Sequence, residues 1–211
     1  MLLDIQKLTG QIRGVLHIGA FIGEELELYQ KMHISNIIFF EPMQYTYQML
    51  KDKVQNFATT YNFALGNYNG KGNMYASKFD HTVNYITGAS SSLLKPKKHL
   101  DIHPAVIFPE MEEVEVRRLD DVIAEEQIDV TNYNFMNIDV QGYELEVLKG
   151  SAHTLDSIDY IVSEVNNDEV YEQCALINEI DEFLSTYSFV REETNWAGGM
   201  WGDALYIKKK V

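Results

Sequence analysis

Disulfide chemistry is the first thing this sequence lacks: among 211 residues, Cys174 is the only cysteine. A chain with one thiol cannot cross-link itself, so a reducing compartment, the cytoplasm, is the expected setting, and Cys174 reads as a buried, inert thiol. Long apolar runs are missing too. None approaches the roughly 20 residues of a membrane-spanning helix, and the opening segment MLLDIQKLTG has no basic stretch leading into an apolar one. Neither export nor membrane anchoring is expected. Basic residues are scarce, 17 against 32 acidic ones, for a formal net charge of -15. That field repels phosphate backbones, so the expected partner is a neutral or cationic small molecule rather than nucleic acid. There is no internal repeat, low-complexity tract or shift in composition, and residues 1–211 read as one domain able to bury one core.

What is present is alternation. Residues 14–18 form a short apolar run closed by Gly19-Ala20, after which Ile22, Leu26, Tyr29 and His33 recur at helical spacing. Residues 36–40 repeat the pattern, with Tyr45, Met49, Leu50 and Lys53 behind them. Strands apolar on both faces, alternating with helices, predict a doubly wound parallel α/β sheet. Further strands are expected at 59–65, 72–77, 135–138, 160–162 and 204–207, with a half-exposed one around Val114 and Val116. Helices are expected at 141–149, stopped by Gly150, and at 176–187. Residues 78–111, with Gly88, Ser90, Ser91, Ser92, Pro96, Pro104 and Pro109, lack periodicity and read as a surface excursion suited to a substrate lid.

The first turn, His17 to Glu24, holds Gly19 and Gly23 four positions apart, with Ala20 between them and two acids, Glu24 and Glu25, behind. A dinucleotide site uses G-x-G-x-x-G to seat a pyrophosphate on a helix N-terminus, and paired carboxylates there would repel it. An adenosine derivative without phosphate but with positive charge, such as S-adenosylmethionine, suits the turn better. Glu41, 18 positions after Gly23 and followed by Pro42, stands where an acid accepts the ribose hydroxyls in nucleoside-binding sheets. Asn62 and Ala64, ending the next apolar segment, are placed beside the adenine. Asp139 sits where the fourth parallel strand opens into a helix, so it faces the same crevice with Val140 beside it. It could also cap that helix, at about 1 kcal/mol. Glu164 ends the fifth strand at the same edge.

The succession HIGAFIGEE, FFEP, NFALGN, SSSLL, IDVQGYELEVLKG, SEVN and WGDALYIK resembles the FkbM-type methyltransferases over nearly the whole chain. The segment from Ile138 to Gly150 is the most specific part. The resemblance implies a class I methyltransferase core, a Rossmann-like seven-stranded sheet with an antiparallel last strand, and S-adenosylmethionine contacts near Gly19, Gly23, Glu41 and Asp139. His17 stands where many relatives carry aspartate, and Glu24 is the alternative contact for the methionine ammonium.

The expected reaction is O-methylation of a sugar, glycan or other small molecule, leaving S-adenosylhomocysteine. Asp139 is the first candidate for general base, with Glu164 and His81 behind it. Ser91, Ser92, Gln141 and Trp201 are candidate acceptor contacts, Trp201 and Trp196 through stacking on a ring face. Asp139, Glu144, Glu164 and Asp168 are carboxylates enough for Mg²⁺, but their spacing is not diagnostic and no metal is expected. The rival readings are an NAD(P)-dependent oxidoreductase and a non-catalytic cofactor-binding module.

Overall fold

A computed structural model describes residues 2–79 and 88–209. The chain runs through β1 (Gly14–Ile18), α1 (Leu26–Lys31), β2 (Asn36–Phe40), α2 (Gln44–Val54), β3 (Thr59–Tyr61), β4 (Ala64–Leu65), β5 (Gly70–Phe79), α3 (His99–Ile102) and β6 (Val106–Arg117). It continues through α4 (Leu119–Glu125), β7 (Phe135–Ile138), α5 (Glu144–Lys149), β8 (Tyr160–Asn166), α6 (Ile177–Ser185), β9 (Phe189–Ala197) and β10 (Trp201–Lys208).

Seven strands form one sheet in the order β3-β2-β1-β7-β8-β10-β9. All neighbours are parallel except β10, which is antiparallel to both β8 and β9. The apolar runs make both faces of this sheet core. Leu16, Ile18, Ile38 and Phe40 pack on one side with Val147 of α5 and Ile180 of α6, while Val15 and Phe39 pack on the other with Tyr29 of α1 and Leu50 of α2. Alternate residues of one strand thus serve opposite layers, as a sheet covered by helices on both faces requires. The chain leaves β1 toward β2 and β3, then returns to β7 on β1's other flank. The carboxyl ends of β1 and β7 therefore splay apart at a topological switch point, where open α/β sheets bind ligands.

The middle of the chain differs from the sequence expectation. The anticipated strand at 59–65 is two strands: β3 edges the large sheet, whereas β4 pairs with β6 in a separate sheet of order β4-β6-β5. The break falls at Asn62, whose amide donates to Glu41 O and Pro42 O at 3.0 Å each. Residues 78–111 are less irregular than their composition implies, since β5 runs on to Phe79 and β6 begins at Val106 and carries Pro109 within it. Strand β9 was not anticipated, because its edge position leaves most of its residues exposed and polar. Helix α5 starts at Glu144 rather than 141, since Gln141 and Gly142 hold φ of 57° and 96°. Asp139 is therefore not its cap.

Residues 88–98 lie back over the switch point. Ser92 and Tyr75 exchange backbone hydrogen bonds, Lys97 N and His99 N both donate to Val170 O at 3.0 Å, and Lys95, Lys97 and Lys98 pair with Glu172, Glu169 and Asp168. Asp168 is thus held by Lys98, away from the other carboxylates considered with it. Among the described residues no helix is long and apolar enough to cross a membrane.

Candidate active site at the sheet switch point

Two glycines shape the first turn for different reasons. Gly19 has φ of 78°, and a Cβ there would fall 1.8 Å from Asp139 O, so only glycine lets the β1 and β7 turns touch. Gly23, with φ of 72°, faces Leu50 of α2 at 2.8 Å and does not reach the ligand cavity; it is a packing position rather than a contact.

That cavity, about 210 Å³, is bordered by Gly19, Ala20, Glu24, Glu25, Glu41, Pro42, Ala64, Ser91, Asp139 and Val140. Glu41 is its best-defined polar group. Buried at the end of β2, its Oε1 accepts from Met43 N (2.9 Å) and Thr46 Oγ1 (2.7 Å), filling that oxygen, while among the described residues Oε2 accepts only from Phe21 N (2.9 Å). A carboxylate oxygen has two lone pairs, so Oε2 keeps one for a ligand hydroxyl. Burial pushes this carboxyl up to about 7, against the three donors that favour its charge.

His17 also borders the cavity, but both ring nitrogens are engaged below it. Nδ1 lies 3.1 Å from Tyr29 Oη and Nε2 lies 3.1 Å from the Asn137 amide. Burial lowers its pKa, so the ring is neutral near pH 7. Glu25, 4.0 Å from His17 Nε2 and half-buried, is a cavity carboxylate that sequence reasoning passed over in favour of the more exposed Glu24.

On the other side of Asp139 lies a second chamber, bordered by Ala89, Ser90, His99, Glu164, Trp201 and Asp203, with Asp139, Gln141 and Ala89 common to both. Gln141 ties the junction together. Its amide donates to Asp139 Oδ1 (2.7 Å) and Glu164 Oε2 (2.9 Å), its side-chain oxygen lies 2.9 Å from Tyr171 Oη, and its backbone oxygen accepts from Ser92 Oγ (2.7 Å). Burial, and then the neighbouring Asp139, Glu144 and Asp203, push the Glu164 carboxyl well above the usual carboxylate range. Glu144 closes the turn from beneath, its Oε1 accepting from Val140 N (3.1 Å) and Gly142 N (3.0 Å). This support role was missed in the sequence because Glu144 looks like any acid in a first helical turn.

The arrangement of a glycine turn, a ribose-height acid and a second acid at the β7 turn agrees with a match over residues 17–191 to the profile described as Methyltransferase FkbM domain. The chain belongs to the FkbM methyltransferase family. This FkbM domain is 32% identical over 122 residues to the 2-O-methyltransferase NoeI of Sinorhizobium fredii, a match covering 58% of this chain and 48% of that protein. The chain thus spans about half the length of the curated relative it matches. Among solved structures, a Streptococcus agalactiae protein of the NADB-Rossmann superfamily aligns with a TM-score of 0.52 at 10% identity, covering 100% of this chain and 71% of that one. A Streptococcus pneumoniae protein assigned as a tRNA methyltransferase, in complex with S-adenosyl-L-methionine, aligns with a TM-score of 0.50 at 12% identity, covering 100% and 76%. At such identities the likeness is one of fold.

Other candidate residues of the FkbM domain divide by position. Ser91 reaches the first cavity, where its Oγ accepts from Ser77 N (3.0 Å), whereas Ser92 is fully buried and holds the cover to Gln141. Trp201 borders the second chamber, packed with Val170 and Tyr171, but Trp196 lies exposed on β9, away from both chambers. Asn62 braces the Glu41–Pro42 backbone without bordering the cavity. His81 lies outside the described residues.

Proposed function

We propose that this chain is an S-adenosylmethionine-dependent O-methyltransferase that transfers a methyl group to a hydroxyl of a sugar, glycan or similar small molecule and leaves S-adenosylhomocysteine. The observation that carries the reading is Glu41, buried at the cavity wall with one lone pair of Oε2 still to be used. The residues present fit the cofactor. Glu41 suits a ribose hydroxyl, Ala64 and Pro42 offer apolar surface for a base, and Glu25, Glu24 and Asp139 give a phosphate-free, cationic molecule a surface that a dinucleotide pyrophosphate would find repulsive. That last point weighs against the NAD(P) alternative.

When bound, S-adenosylmethionine supplies an electrophilic methyl on a sulfonium. The protein's part is to orient the acceptor oxygen, exclude water and take the hydroxyl proton. Glu164 is best suited to the last task. It borders the second chamber, its raised pKa makes its ionised form a stronger base than an ordinary carboxylate, and the Gln141 amide holds it in register with Asp139. The 2-O-methyltransferase relative supports oxygen as the acceptor atom. The cover at residues 88–98, within the 78–111 segment, supplies the water-excluding wall, and residues 1–211 act as one catalytic domain.

Calorimetry with S-adenosylhomocysteine and NADH tests the cofactor assignment: binding of the first and indifference to the second is expected, and the reverse would overturn the reading. Given an acceptor, Glu164→Gln should lower kcat about 100-fold to 10,000-fold and flatten its rise with pH, with S-adenosylhomocysteine affinity unchanged. Wild-type turnover in that variant would remove Glu164 as the base.

A further inference from the structure

The second chamber contains a side chain whose state in the free protein is costly. His99, on the short helix α3, is 3% exposed, and neither ring nitrogen makes a hydrogen bond among the described residues; Nδ1 is buried outright. Its ring contacts are His103, Phe108 and Tyr171 at 5.1 to 5.4 Å between centroids. A buried polar atom without a partner costs about 1–3 kcal/mol, so a ring that carries one and also borders a chamber marks a place where a ligand can complete the bonding. A second orphan lies nearby. Asn166, the register partner of Trp201, is fully buried, and among the described residues neither its Nδ2 nor its Oδ1 has a hydrogen-bond partner.

We propose that the second chamber is the acceptor subsite, and that His99 receives a hydrogen bond from a hydroxyl of an uncharged, polyhydroxylated ring whose face lies on Trp201. This rests on the methyltransferase reading and adds the acceptor's chemistry to it. Each wall contributes. A neutral imidazole offers one acceptor and one donor, as a hydroxyl requires, and burial pushes His99 down to about 4, which keeps it neutral at working pH. Asp139, Glu164 and Asp203 give the same chamber an acidic wall, which disfavours a phosphorylated or carboxylated acceptor. Trp201 supplies an apolar plane between these polar groups, the combination a pyranose needs for its C–H face and its hydroxyl rim. A hydroxyl held by His99 would fix the ring so that a different hydroxyl meets Glu164.

The test uses the chain saturated with S-adenosylhomocysteine and labelled with ¹⁵N-histidine. The methyl glycosides of glucose, mannose, galactose and fucose are titrated in, alongside glucosamine and glucose 6-phosphate, while the His99 nitrogen resonances are followed. At least one neutral glycoside should shift the His99 acceptor nitrogen in a saturable way. His99→Leu should weaken that glycoside about tenfold or more while S-adenosylhomocysteine affinity stays within about twofold. His99→Asn, which keeps an acceptor, should recover part of the loss. The assignment is overturned if no neutral glycoside shifts His99, if only the amine or the phosphate ester does so, or if glycoside affinity is indifferent to His99→Leu. Should His99→Leu fail to fold, the wild-type resonances still decide. A failure of S-adenosylhomocysteine to bind at all would refute the cofactor reading instead, so the two failures are distinct.

Discussion

Glu41 shows how one side chain can be both a brace and a sensor. Its carboxylate links the first turn at Phe21 to the start of α2 at Met43 and Thr46, yet its pKa of about 7 leaves it half-protonated near neutrality. The protonated form spends its spare position on a proton. The ionised form can accept a ribose hydroxyl there instead. S-adenosylhomocysteine affinity is therefore expected to rise about tenfold from pH 6 to pH 8, and Glu41→Gln should bind more weakly with a flat profile. Calorimetry at three pH values checks this, and a pH-independent wild type would contradict it. For stability the sign is reversed. The folded-state pKa lies above the unfolded value, so this group's contribution is greatest at low pH and declines as pH rises from about 4.5 toward 7. The position of Glu41 was legible in the sequence because the end of a buried strand is a fixed place. His99 was not: it lies in a segment without periodicity, and its significance comes from contacts with Tyr171 and Phe108 that sequence spacing does not encode.

Among the elements, the turn between β7 and α5 concentrates the chemistry, and Glu144 holds it. The Val140 and Gly142 amides both point at one buried carboxylate oxygen. Glu144→Ala should cost about 2–4 kcal/mol in urea unfolding by leaving both amides unpaired, whereas Glu144→Gln, which keeps an acceptor, should cost about half of that or less. Burial raises the Glu144 carboxyl to about 7, so wild-type stability should fall between pH 5 and 7 by more than that of the Gln variant. The elements that sequence patterning revealed most plainly were buried apolar runs: β1, β2, β7 and the start of β8 at 160–162. Of β6 only the part around Val114 and Val116 was legible, since its earlier half is mostly exposed, and β9 escaped because it edges the large sheet with polar residues on both faces. The split of 59–65 between two sheets turns on Asn62, whose bonds to the Glu41 and Pro42 carbonyls exist only once β2 and β3 are side by side.

For the whole molecule, fold and charge give different kinds of information about the acceptor. The fold does not separate small acceptors from RNA, since a protein assigned as a tRNA methyltransferase shares it. Charge supplies the argument for the proposed small-molecule acceptor: at -15, with carboxylates bordering both chambers, the chain should show no binding to a labelled 20-nucleotide RNA in anisotropy measurements at physiological salt. Micromolar affinity there would reverse the small-molecule assignment.

Ala89 belongs to the walls of both chambers, on a stretch that Ser92 fastens to Gln141 and three lysines fasten to the far loop. Under the proposed function, one stretch of chain walls both compartments. The spent donor and the finished product would rest against the same stretch, so the departure of either should loosen the hold on the other.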